Sequence, residues 1–318
     1  MKQLIKTVFL LTALFLLSAC GAEKDLEETK GDRIRILTTI FPLYDWAQNI
    51  VSGSGNIDTA YLIDGSTDLH NYQPSAADIV SISDCDVFIY VGGESDEWVE
   101  DALKQVGNSD MVVIDLLDVL KDRVKEESSE GIFVEEEEEQ EPESDEHVWL
   151  SVKNAMIVCE EICEKISEID EDEKDLFSGN LDSYLKELRD LDERYMDTVS
   201  KGKKDVLLFA DRFPFIYLCD DYGIGHYAAF KGCSAETEAS FETIRLLAQK
   251  TDELSLSVLI CLEGSDTRIA QTVIENTANK DQKILQMDSM QSEIKTGESY
   301  ITIMEKNLDV LRMALEAE

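Results

Sequence analysis

Apolar and polar positions along the chain switch repeatedly between a period of two and a period of three to four, the pattern of strands followed by helices. Residues 34–40 alternate and are rich in β-branched side chains, and Pro42 opens an amphipathic stretch that runs to Ile50. Residues 57–63 read as a second strand, stopped by Asp64-Gly65. Pro74 starts a helix with Ala76, Ile79 and Val80 on one face, and residues 87–91 read as a buried strand ending in Gly92-Gly93. A helix over 98–106 and a strand over 111–116 follow.

Helical spacing then takes over, from 151 to 167 and again from 173 to 200. In the second stretch Leu176, Leu181, Tyr184, Leu185, Leu188, Leu191, Tyr195 and Val199 recur on one face. After Gly202 the strand–helix alternation resumes, with strands expected at 205–210, 227–230, 258–263 and 284–288 and a last helix from Tyr300 to about Ala317. The expected fold class is α/β: two (βα) lobes with mainly parallel sheets, joined by one long rigid interdomain helix. The boundaries this implies are 33–172 for the first lobe, 173–201 for the connecting helix and 202–318 for the second lobe.

Composition changes the picture at three places. Lys2 and Lys6 precede the uncharged run Val8–Leu17, too short for a membrane span, and the run ends in Leu17-Ser18-Ala19-Cys20, which resembles a bacterial lipobox. The expectation is a signal peptide over 1–19, acylation of Cys20, a polar leash over 20–32, and a site of residence on the outer face of the cytoplasmic membrane. Between 126 and 146 the chain turns strongly acidic, with Glu135–Glu139 unbroken, and is expected to form a mobile surface loop. The formal net charge of −39 argues against nucleic acid as a partner, because phosphates would be repelled, and permits cationic ligands. Of the seven cysteines, Cys85, Cys219 and Cys261 stand in apolar runs and Cys159 and Cys163 one helical turn apart, so free thiols are preferred over a disulfide framework.

Ligands of open α/β sheets bind in the crevice beyond the carboxyl ends of the strands. His70, Asp211, Glu263 and Asp288 fall at or just after expected strand ends, and His147 follows the acidic run directly. Two imidazoles and two or three carboxylates, drawn from both lobes, would suit a borderline divalent cation in a cleft between the lobes. His226, in Gly225-His226-Tyr227, has no such context and is read as structural.

Thr38–Trp46, the segment Gly65–Ile79 around His70, Asp84–Tyr90, Glu94–Trp98 and Asp145–Ser151 around His147 resemble the zinc- and manganese-binding lipoproteins that feed metal ABC importers, as do Asp288-Ser289 and Tyr300–Leu308. The resemblance covers nearly the whole mature chain. It implies two lobes joined by a rigid helix, capture of Zn²⁺ or Mn²⁺ as the transported ligand, and delivery to a permease and its ATPase by a monomer tethered to the membrane. It implies His70 and His147 as metal ligands and Asp288 as an acidic fourth. The third ligand of the family, His in zinc-type and Glu in manganese-type members, falls on Ala210, which cannot ligate; Asp211, Glu236 or a water is expected to take its place. Arg212 and Glu263, with Glu236 as the other option, would orient or balance the ligands.

Two other functions are compatible with a lipid-anchored α/β chain. A metallohydrolase would need an open coordination position and a placed base, and the chain has no HExxH, nucleophile elbow or phosphate loop, so no enzyme is expected. A surface adhesin on the same fold is the other alternative.

Overall fold

The computed structural model describes residues 33–64, 67–127, 129–133, 144–234, 238–291 and 297–317. The expected leader, the acylated Cys20, the acidic run Glu135–Glu139 and the candidate Glu236 lie outside the described residues. Residues 34–318 form one compact unit.

The first sheet holds β1 (Ile34–Thr38), β2 (Ile57–Tyr61), β3 (Val87–Tyr90) and β4 (Val112–Asp115) in the order β2-β1-β3-β4, every pairing parallel. The second repeats the plan with β5 (Val206–Phe213), β6 (Gly225–Lys231), β7 (Val258–Leu262) and β8 (Lys283–Met287), in the order β6-β5-β7-β8 and again parallel. Parallel neighbours need crossovers. In the first lobe these are α1 (Phe41–Ile50), α2 (Ala76–Asp84) and α3 (Trp98–Leu103). In the second they are α7 (Ile216–Tyr222), α8 (Phe241–Leu254) and α9 (Arg268–Asn276), after the short α4 (Leu116–Leu120) and the long α5 (Val152–Ile169) and α6 (Lys174–Lys201) have intervened. The chain closes with α10 (Tyr300–Ala314). Among the described residues no helix is long and apolar enough to cross a membrane.

Local chemistry sets the helix starts. Ser75 accepts from Asp78 N while Asp78 bonds back to Ser75 N, a reciprocal cap, and Ser151, Ser240 and Ser299 cap α5, α8 and α10 through their hydroxyls. The 28 residues of α6 span roughly 42 Å. That helix packs on α5, α1 and α10. One apolar cluster runs from Ile36 and Val87 through Trp46, Val158, Leu188 and Tyr300 to Phe209 and Ile260, so the two sheets share a core. The outer faces carry separate clusters, around Phe88 in the first sheet and around Leu259 in the second.

Two differences from the sequence expectation bear on the site. β5 does not stop at Ala210 but continues to Phe213, with a register shift against β6 between Phe209 and Arg212. Within the stretch expected to hang free, residues 131–133 instead lie along the outer edge of β6: Ala228 N donates to Gly131 O at 3.0 Å and Phe133 N to Ala228 O at 3.1 Å. An exposed sheet edge invites such pairing.

Candidate metal centre

His70 sits in a one-turn 3-10 helix, Leu69–Asn71, beyond β2. Asp68 caps that turn, its Oδ1 accepting from His70 N at 3.1 Å, and buried Leu69 anchors it. His147 precedes a second such turn, Val148–Leu150, whose three side chains are fully buried. Trp149 fixes this turn: its Nε1 donates to Ser289 O at 2.9 Å, and Tyr300 OH donates to Trp149 O at 2.8 Å. Both imidazoles therefore stand on short, pinned segments rather than on free loops.

The two rings turn the same edge towards one point. His70 Nε2 and His147 Nε2 are 3.2 Å apart. On the far sides, His147 Nδ1 meets Asp145 Oδ1 at 3.0 Å, and His70 Nδ1 meets Ser95 Oγ at 2.8 Å with Glu146 Oε2 3.5 Å away. Asp145 at Nδ1 of His147, and the Ser95 hydroxyl with Glu146 behind it at Nδ1 of His70, favour the tautomer with the proton on that side and the Nε2 lone pairs converging. Donors on a tetrahedral zinc are separated by roughly 3.3–3.8 Å, from bond lengths of about 2.0–2.3 Å.

Glu146 is buried, which pushes its carboxyl up, but the nearby His70 imidazole and the bond from Ser95 N outweigh this and hold it below its ordinary value. Room for it comes from Gly93, at φ 85°, a conformation that favours glycine; a Cβ there would overlap the Glu146 carboxylate. Next to it Asp96 is raised to about 7, first by burial and also by the charge of Glu146, against the N–H groups of Val91 and Gly92 that donate to its Oδ2 at 3.0 and 3.1 Å.

Two further side chains complete the cluster. Gln291 Nε2 stands 3.1 Å from His70 Nε2 and 3.2 Å from His147 Nε2, so its amide occupies the point on which the rings converge. Cys233 follows β6, and its Sγ lies within 4.8 Å of a ring nitrogen of each imidazole; among the described residues this is the one group of His, Cys, Asp and Glu donors that converges so closely. Burial first, then the charges of Asp145, Glu127 and Glu146, push the Cys233 thiol far up. The cluster opens on a cleft of ≈ 1150 Å³ whose wall carries Glu94, Glu97, Asp101 and Glu127 beside His70, Glu146 and Cys233. Acidic walls of this kind concentrate cations.

Of the residues singled out from sequence, His70 and His147 are brought together. Asp211 is not: as part of the extended β5 it turns towards β7, its Oδ2 accepting from Leu262 N at 3.0 Å and from Ser265 Oγ. Arg212 reaches the site indirectly, Nη2 donating to Asp68 Oδ2 at 3.1 Å. Asp288 lies one residue beyond β8, buried, with Oδ1 accepting from Met290 N at 2.7 Å; it is in the same loop as Gln291 but outside the converging group. Glu263 follows β7, its N–H donating to Met287 O at 2.8 Å, and is also outside that group. His226 stacks on Phe213, ring centroids 4.0 Å apart. Sequence reading passed over Cys233 and Gln291. The signal for Cys233 was its setting in a polar Gly-Cys-Ser turn, where Cys85, Cys219 and Cys261 stand in apolar runs; Gln291 carried none.

Residues 36–314 match the family model described as the periplasmic component A of the zinc-uptake complex. The chain belongs to that family. Within it, the chain is 29% identical over 324 residues to the high-affinity zinc uptake system protein ZnuA of Bacillus subtilis, covering 97% of each. It is 28% identical over 319 residues to the zinc-binding lipoprotein AdcA of Streptococcus pneumoniae, spanning 62% of that longer protein. The crystal structure of the Zn(II)-bound ZnuA-like domain of that AdcA superposes with a TM-score of 0.72 at 25% identity, over 89% of this chain and 99% of the domain.

Proposed function

We propose that this chain is the extracytoplasmic capture protein of a zinc ABC importer: it binds Zn²⁺ in the cleft and hands it to a membrane permease driven by an ATPase. The observation that carries this reading is the pair of Nε2 atoms 3.2 Å apart, each ring braced from behind by a carboxylate or hydroxyl. Membership of the zinc-uptake family and the relatives' zinc-binding names agree with it. His70 and His147 are the imidazole ligands, and Asp288 supplies an oxygen once the loop it shares with Gln291 rearranges. Arg212 acts through Asp68 to hold the His70 turn. The role is binding and release, not turnover, and acylation at Cys20 would keep the chain beside its permease as a monomer.

Neutral imidazoles and ionised carboxylates are what the cation needs, so acid releases it. The test is competitive titration of the purified chain against a chromogenic zinc chelator. One equivalent of zinc is expected, lost in His70→Ala and in His147→Ala; a folded chain that takes up no zinc would end this reading.

A further inference from the structure

We propose that Cys233 is the third metal ligand, making the centre a two-imidazole, one-thiolate site that selects zinc over manganese. This rests on the capture reading above and adds a donor from the second lobe to the Asp288 oxygen.

The position at the end of β5 that the sequence pointed to is taken out of play twice over. Ala210 has no donor, and Asp211 spends its carboxylate on Leu262 N and Ser265 Oγ. β6 lies beside β5 in the same parallel sheet, so its carboxyl end opens on the same crevice. Cys233 stands two residues beyond that end, within 4.8 Å of both imidazoles. Moving the donor one strand sideways therefore restores a third corner without altering the fold.

The turn that carries the thiol is built against the site. Gly232 presses on the His147 ring so closely that a Cβ would come within 3.0 Å of Cε1. Glu127 Oε1 accepts from Cys233 N at 3.0 Å. The six cysteines of the described residues are free thiols; five are fully buried, and Cys233 alone is only partly buried, on the cleft wall. A packing role would have put it with the other five.

Sulfur decides which ion is preferred. Thiolate is a soft donor suited to zinc, whereas Mn²⁺ prefers oxygen and stands lowest in the divalent affinity order. Two neutral imidazoles and one thiolate leave a single positive charge, which a carboxylate such as Asp288 can balance. On binding, the metal–sulfur bond forms as the S–H bond breaks, and the proton leaves to solvent.

The experiment is to load the whole chain with Co²⁺ as a zinc surrogate and record the near-ultraviolet spectrum, then to measure zinc and manganese affinities of the parent, Cys233→Ser and Cys233→Ala. A thiolate-to-cobalt charge-transfer band is expected in the parent and in neither variant, with the zinc-to-manganese affinity ratio falling by roughly 100-fold or more when the thiol is lost. Stoichiometric cobalt with no such band, and an unchanged ratio in folded variants, would overturn the Cys233 assignment and leave zinc capture standing. Absence of any stoichiometric metal in the parent would instead overturn the capture reading. The parent spectrum decides the question even if a variant fails to fold.

Discussion

Asp145 grips His147 twice through one oxygen: Oδ1 accepts from the backbone N at 2.9 Å and faces Nδ1 at 3.0 Å. The same carboxylate thus fixes the ring's orientation and the side on which its proton sits. Asp145→Asn keeps an acceptor but removes the charge that stabilises a metal-loaded imidazole. Zinc affinity should fall about 10–100-fold with the fold retained, the usual cost of losing such a partner. Competitive titration beside a thermal melt would separate this from simple destabilisation.

The Gln291 amide donates to two lone pairs that a cation must occupy. It steadies the metal-free rings and competes with the metal. Each of its two bonds contributes about 1 kcal/mol. Gln291→Ala should therefore bind zinc faster and up to about 30-fold more tightly, as read by stopped-flow mixing with a fluorescent zinc indicator. Weaker binding would mean that the amide turns its oxygen to the metal and serves as a ligand.

Asp96 ties stability to pH. Its carboxyl is raised to about 7 in the folded chain, against an ordinary 3.8 in the unfolded chain, so between those values the folded state holds a proton that the unfolded state has lost. Its contribution to stability is therefore present at low pH and disappears as pH rises towards 7 and beyond. Asp96→Asn keeps an oxygen for the Val91 and Gly92 N–H groups and removes the charge. At pH 8 the metal-free variant should be more stable than the parent by about 2–4 kcal/mol, the difference shrinking to near zero by pH 4. Urea midpoints across that range would measure it.

Gly232 has no space for a side chain. A Cβ would lie 2.9 Å from Phe213 O and 3.0 Å from His147 Cε1. Backbone on one side and a pinned ring on the other can give little, so Gly232→Ala should cost about 1–3 kcal/mol of stability and weaken zinc binding together. Chemical denaturation and zinc titration of the same preparation would test the pair of effects.

Much of this site was legible in the chain because it is local. His70 and His147 each sit in a short stretch with its own cap and anchor, Asp68 and Leu69 for one and Trp149 for the other, and residues that close in sequence fold where the sequence says. The alternating pattern likewise marked all eight strands, since burial on both faces of a parallel sheet leaves runs such as Val258–Leu262. Asp211 misled because side-chain direction at a strand end depends on whether the strand stops. Here β5 ran on through an irregularity, and one residue of register decided which way the carboxylate faced. Cys233 and Gln291 come to the imidazoles from separate parts of the second lobe, and no periodicity encodes a meeting of that kind.

The Asp68 carboxylate holds the backbone of His70 with one oxygen and the guanidinium of Arg212, on β5, with the other. Asp68 thus ties the His70 turn of the first lobe directly to β5 of the second, beside the shared core and the Trp149–Ser289 bond. With His70 holding the cargo as proposed, a membrane partner that levers the lobes apart would strain this tether and draw the imidazole off the metal, unloading it by mechanical work with no change of pH and no competing chelator.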